Sequence, residues 1–140
     1  MNTQNNAYKT ALNSSDPIDP RIIEADALTK SSALLHKAEI SGDREFLIEI
    51  LKKNLTLWTI FQASTVDKDT IMSDEIRANI LSLSIYIDSQ TTKILNNEAK
   101  VESIIKINKM IADGLRQSAK NFPLETNIKP SLDGTINESV

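Results

Sequence analysis

Few side chains in this chain are equipped for chemistry. There is one histidine, His36, and no cysteine. Without a thiol there is no disulfide framework, no thiolate metal site and no sulfur nucleophile. His36 falls opposite the apolar side of its helix, near Thr29 and Lys37, the position of a solvated residue. Only carboxylates remain to hold a metal, and no Asp/Glu set has the alternating spacing of a calcium loop. Asp16, Asp19, Glu24 and Asp26 are accounted for by turn and helix-cap chemistry. Gly42, Gly114 and Gly134 lie too far apart to form a phosphate-cradling loop. Asn13-Ser14-Ser15 and Asn54-Leu55-Thr56 fit the glycosylation sequon, which has no role in a cytoplasmic chain. The expectation is a protein without catalytic residues, cofactor or metal.

Two asparagines and the single Trp are harder to assign. Leu47, Leu51, Asn54, Trp58 and Phe61 fall on one seam of a helix, with Phe46, Ile50 and Leu57 on one side and Leu55 on the other. The apolar arc is roughly 200° wide, about twice what a surface helix with one buried stripe requires. Such a helix is either central in a bundle or offers a second face to a partner. Asn54 sits between Leu51 and Trp58, and Asn108 between Ile104 and Ile111. An Asn on an apolar seam destabilises unless its amide and carbonyl find partners. Each Asn either fixes the register between helices or bonds a partner's backbone. Trp58 and Phe61 have the same two readings, core or partner surface. Phe46, Leu57 and Ile60, at the edge of the arc, are the positions expected to face a partner.

Helices must position these residues. Asp19-Pro20 is a helix start: Asp caps the free amides, and Pro suits the first position because its missing N–H would be unpaired anyway. Glu24 and Asp26 fall in the first turns, where the helix dipole favours them. The helix is expected to reach about Ile40 and to bury Ile23, Ala27, Leu28, Ser31, Leu34, Leu35 and Ala38. Ser41-Gly42-Asp43 breaks the pattern and caps a second helix to about Val66. Asp67 to Thr70 reads as a loop. Ser73 caps a third helix with Ile76, Ile80, Leu83, Ile87 and Ile94 on its seam, ended by Asn96-Asn97. A fourth starts near Glu98 and carries Val101, Ile104, Asn108, Ile111 and Leu115, the narrow seam of coiled-coil-like packing. Gly114 either ends this helix or lets a neighbour approach closely. Short connections favour antiparallel neighbours. The fold class is all-α: a small antiparallel bundle of about four helices over 19–120, with helix two the most buried. Residues 1–18 read as a flexible arm. Residues 121–140, with Pro123, Pro130 and Gly134 and no apolar period, read as a disordered tail dispensable for folding.

Composition agrees. In 140 residues, 40% hydrophobic and 25% charged, there is material for one modest core. The polar N-terminus lacks the basic start and apolar stretch of a signal peptide, and no apolar run is long enough to span a membrane. The chain reads as soluble and cytoplasmic. The net charge of −3 argues against nucleic acid as the main partner. Glu49–Lys53 and Glu102–Lys106 are spaced as ordinary helix-surface pairs.

Several short motifs, taken in order, resemble the FlaF family. Asp19-Pro20-Arg21 followed by Ile23-Glu24-Ala25 resembles the family's Ser-Pro-Arg-x-Leu-Glu-Ala start. Asn54 through Phe61 resembles its Asn-x-x-Leu-Trp-x-x-Phe core. Arg77, Asn79 and Ile80 resemble its Arg-x-Asn-Ile, and Ile107-Asn108 with Ile111-Ala112 and Gly114-Leu115 its Ile-Asn-x-x-Ile-Ala-x-Gly-Leu ending. The departures are Asp for Ser at position 19 and a longer tail. The resemblance implies a non-enzymatic protein of flagellum biogenesis that acts alongside FlbT, binds flagellin and promotes its synthesis or secretion.

The leading expectation is therefore an export-chaperone-like regulator that receives an amphipathic flagellin segment in an apolar groove. One alternative is a post-transcriptional regulator acting on flagellin mRNA, directly or with FlbT. Another is a homo-oligomerising module, with the wide arc used for a homodimer.

Overall fold

A computed structural model describes residues 19–67 and 73–124. The arm at 1–18, the loop from Lys68 to Thr70 and most of the tail, 125–140, lie outside the described residues. Four helices follow in order: α1 Pro20–Ser41, α2 Arg44–Thr65, α3 Asp74–Leu95 and α4 Glu102–Asn121. There is no strand among the described residues.

The helix starts are written in local capping chemistry. The Asp19 side chain accepts from Arg21 N–H, with Pro20 in the first turn. Asp43 accepts from Phe46 N–H at 3.1 Å and Ser73 from Ile76 N–H at 3.1 Å. Gly42 closes α1 in the left-handed conformation, φ 72°. At the end of α3, Asn97 takes φ 63°, a conformation Asn tolerates better than most residues. Glu98 N–H bonds back to Lys93 O at 2.7 Å. This turn occupies residues up to Val101, so α4 begins at Glu102 rather than near Glu98.

Each helix packs against two neighbours: α1 against α2 and α4, and α3 against α2 and α4. The α1/α4 interface is the most extensive and α3/α4 the least. The pairs α1/α3 and α2/α4 lie diagonally. Side chains lock the helix ends together and fix the antiparallel sense. Arg21, at the start of α1, is almost fully buried against the end of α4. Its Nη1 donates to Ser118 O at 3.1 Å and its Nη2 to Phe122 O at 2.7 Å. Its Nε and Nη2 also form a two-pronged bond with the Asp19 carboxylate at 3.0 and 2.9 Å. Arg44, at the start of α2, donates to Leu95 O and to Asn97 Oδ1 at the end of α3. Arg77 of α3 donates to Thr65 O, the last residue of α2, at 2.7 Å. At the fourth junction the polarity reverses: Glu39 of α1 accepts from Val101 N–H at 3.2 Å, just before α4. The last carbonyls and first amides of a helix lack partners within it, and these side chains supply them.

The core corrects three expectations. The buried face of α1 is Arg21, Ala25, Leu28, Ser32, Leu35 and Ala38. It is rotated from the expected stripe, leaving Ile23, Ala27, Ser31 and Leu34 half-buried. The reason is the broad α1/α4 contact, which draws in Arg21 and Ser32, residues an apolar count passes over. Next, α2 is not the most buried helix. It buries seven residues, and the shorter α4 also buries seven. Finally, the tied chain extends past Asn121, because Phe122 O is a partner of Arg21. Gly114 lies inside α4, not at its end. A Cβ there would sit 3.5 Å from Ile76 Cδ1, an ordinary contact.

Candidate functional site

Asn54, Trp58, Phe61 and Asn108 are all at most 1% exposed, in the centre of the bundle. Asn108 extends from α4 between the diagonal partners. Its Oδ1 accepts from Trp58 Nε1 at 2.8 Å, and its Nδ2 donates to Asn54 Oδ1 at 2.8 Å. Ser31 Oγ of α1 donates to the same Asn54 oxygen at 2.7 Å. The direction of this relay is set by the indole. Trp58 Nε1 is a donor only, so the facing atom of Asn108 is its oxygen. The Asn108 amide must then donate, and Asn54 must present its oxygen. Asn54 Nδ2 is left buried without a partner, as is Ser32 Oγ. Phe61 meets Trp58 edge-on, with ring centroids 5.9 Å apart and planes at 79°, the preferred aromatic geometry.

These four residues therefore build the interior. Of the three positions expected to face a partner, Leu57 is only 6% exposed and belongs to the core, a correction to the expected exposed flank. Phe46 is half-buried, and Ile60 is 45% exposed. The wide arc of α2 has a physical reason: it packs on α1 and α3 and reaches α4 through Trp58. Three neighbours use the arc that a two-neighbour count left over.

Exposed large apolar side chains occur on every helix, and three of them fall within six residues of α3. From Ala78 to Ile87 that helix carries no charged residue. Ile80, Ser84 and Ile87 point inward, while Leu81, Ile85 and Tyr86 stay exposed, Ile85 by 72%. Sequence reasoning missed these three. The signal was available as apolar residues left over once the Ile76–Ile94 seam is assigned. Beside them, at the loosest interface of the bundle, a cleft of about 450 Å³ opens between α3 and α4. Tyr86 and Gln90 form one wall; Ser103, Lys106 and Ile107 form the other; Lys100 sits at the end. Ser103 Oγ donates to Gln90 Oε1 at 2.9 Å across it.

Electrostatically, Glu24 stands out. Burial, and then the negative charge of Asp19, push its carboxyl up from the ordinary 4.5 to about 7. The expectation that the α1 dipole favours its charge is outweighed by desolvation. His36 is exposed. No group of three or more His, Cys, Asp or Glu suited to a metal occurs among the described residues. No described helix is long and apolar enough to cross a membrane.

No curated protein and no solved structure matches the chain. The family model for flagellar protein FlaF matches residues 4–115. That span contains all four helix starts, the Asn54–Trp58–Asn108 relay and the exposed face of α3. With most of its length matched, the chain belongs to the FlaF family of flagellar proteins.

Proposed function

We propose that this protein binds flagellin before assembly and promotes its synthesis or secretion, acting in the cytoplasm as a chaperone-like binding protein and not as a catalyst. The observation that carries the reading is the outer face of α3. Ten consecutive residues, Ala78–Ile87, are uncharged on a helix whose inner side is already packed, and Leu81, Ile85 and Tyr86 remain in solvent. Grouped exposed apolar residues of this kind mark interaction surfaces. An amphipathic helix laid along them would bury its apolar face as it does in helix-in-groove recognition. The family supplies the flagellar setting, and flagellin, whose terminal segments are amphipathic, supplies a fitting ligand.

The test is co-purification of the tagged full chain from a flagellated host, read by mass spectrometry and by sequencing of bound RNA. Flagellin is expected as the main partner. Capture of FlbT without flagellin, or of flagellin mRNA without the protein, would overturn the reading.

A further inference from the structure

The cleft between α3 and α4 carries a charge signature as well as an apolar one. Tyr86 and Ile107 give it an apolar floor, and Lys100 and Lys106 stand on its rim. Neither lysine is within salt-bridge distance of a carboxylate among the described residues; the pairs Arg21–Asp19, Lys53–Glu49, Arg116–Asp26 and Arg116–Asp113 do not involve them. Glu102 also lines the cleft, so its side chains sum to a positive charge in a chain whose net charge is −3. What sets Lys100 and Lys106 apart is their place: both line one cleft beside Tyr86 and Ile107, with Glu102 as its one carboxylate.

We infer that the α3/α4 cleft receives an amphipathic helix with carboxylates along the polar edge next to its apolar face. This rests on the reading that the protein binds a flagellar polypeptide, and it names the chemistry of the segment taken. The apolar face would cover Tyr86 and Ile107, and Asp or Glu side chains would reach Lys100 and Lys106. Charge pairs at the rim of an interface act mainly on orientation and association rate. The lysines thus select which amphipathic segment enters and in which direction, while the apolar floor holds it.

The experiment uses the full chain and three synthetic helical peptides of about four turns. They share one Leu/Ala face and carry Glu, Gln or Lys along its edge. Calorimetry at low ionic strength is expected to show the Glu peptide binding at least about tenfold tighter than the Gln peptide, with the Lys peptide weakest. Raising the salt should erase most of that advantage, since exposed charges are screened within roughly 10 Å at 0.1 M. In the Lys100→Glu/Lys106→Glu variant the order should reverse, and Tyr86→Ala should weaken all three. Equal affinities, no binding by any peptide, or an order unchanged in the charge-reversed variant would overturn the inference. So would a homodimer, by sedimentation, that closes the cleft. If flagellin capture persists undiminished in the charge-reversed variant, the cleft assignment fails while flagellin binding stands. If the Glu peptide shows the expected behaviour but flagellin is not captured, the cleft chemistry stands and the proposed function fails.

Discussion

Trp58 Nε1 donates to Asn108 Oδ1 at 2.8 Å, joining α2 to α4 across the diagonal of the bundle, where the two helices make no direct backbone approach. The bond does more than satisfy an indole. It sets the orientation of both buried amides and, through Asn54, fixes α1 by way of Ser31. A one-turn slip of any of these three helices would leave several buried polar groups unpaired.

Breaking the relay should therefore cost more than its area. Trp58→Phe keeps most of the packing but orphans the Asn108 oxygen, and we expect a loss of about 1–3 kcal/mol in urea unfolding. Trp58→Ala adds a cavity and should cost about 3–5 kcal/mol. Combining Trp58→Phe with Asn108→Leu should cost less than the sum of the singles, by about 0.5–3 kcal/mol. Strict additivity would mean that the two side chains are not coupled.

Arg21 joins the two chain-distant ends of the bundle. Arg21→Ala takes the guanidinium from the Asp19 carboxylate and from the carbonyls of Ser118 and Phe122; Asp19 keeps the residue-21 N–H and Ser118 O keeps Phe122 N–H. A loss of about 3–5 kcal/mol is expected, as for a broken buried ion pair. Arg21→Lys should recover only part of it, because an ammonium lacks the planar fork that serves three acceptors at once. Full recovery by Lys would show that charge alone matters.

Glu24 makes stability depend on pH in an unusual direction. Its folded carboxyl titrates near 7 and its unfolded one near 4.5. Between those values the folded chain holds a proton that the unfolded chain has released. Its contribution to stability is therefore highest below 4.5, falls as pH rises through 7, and is then level. Glu24→Gln should raise stability at pH 8 by about 1–3 kcal/mol, solvent screening included, and change little at pH 4.5. Thermal unfolding of both proteins at the two pH values checks this. An equal effect at both would remove the titration as the cause.

Leu57 and Ile60 sit three residues apart on α2 but in different environments. Leu57→Asp buries a charge in the core and should unfold the bundle or cost several kcal/mol. Ile60→Asp, at a half-exposed position, should stay within about 0.5 kcal/mol of wild type. Circular dichroism with urea unfolding separates the two.

Much of this bundle was legible in the sequence. Asp19-Pro20, Asp43 and Ser73 cap through bonds to residues two or three positions away, so their meaning is local. The α4 seam was equally plain, since Val101 to Leu115 keep one spacing throughout. Arg21 was not legible: its partners Ser118 and Phe122 lie about a hundred residues away in the chain, and only the α1/α4 contact reveals them. Whether Trp58 and Phe61 are core or partner-facing was not legible for a related reason. The width of the α2 arc was visible, but not that Trp58 would reach a third helix and use it. On α3 the opposite happened: a clean inner seam drew notice away from Leu81, Ile85 and Tyr86.

The most direct measurement is the affinity of the full chain for purified, unassembled flagellin, wild type against Tyr86→Asp, by calorimetry at several temperatures. We expect wild type to bind with a negative heat-capacity change, the mark of apolar burial. Tyr86→Asp should keep its helical spectrum and unfolding midpoint and lose at least about tenfold in affinity, or roughly 1.4 kcal/mol. Equal affinity in the two folded proteins would contradict the α3 surface, and the absence of binding by wild type would contradict flagellin as the partner.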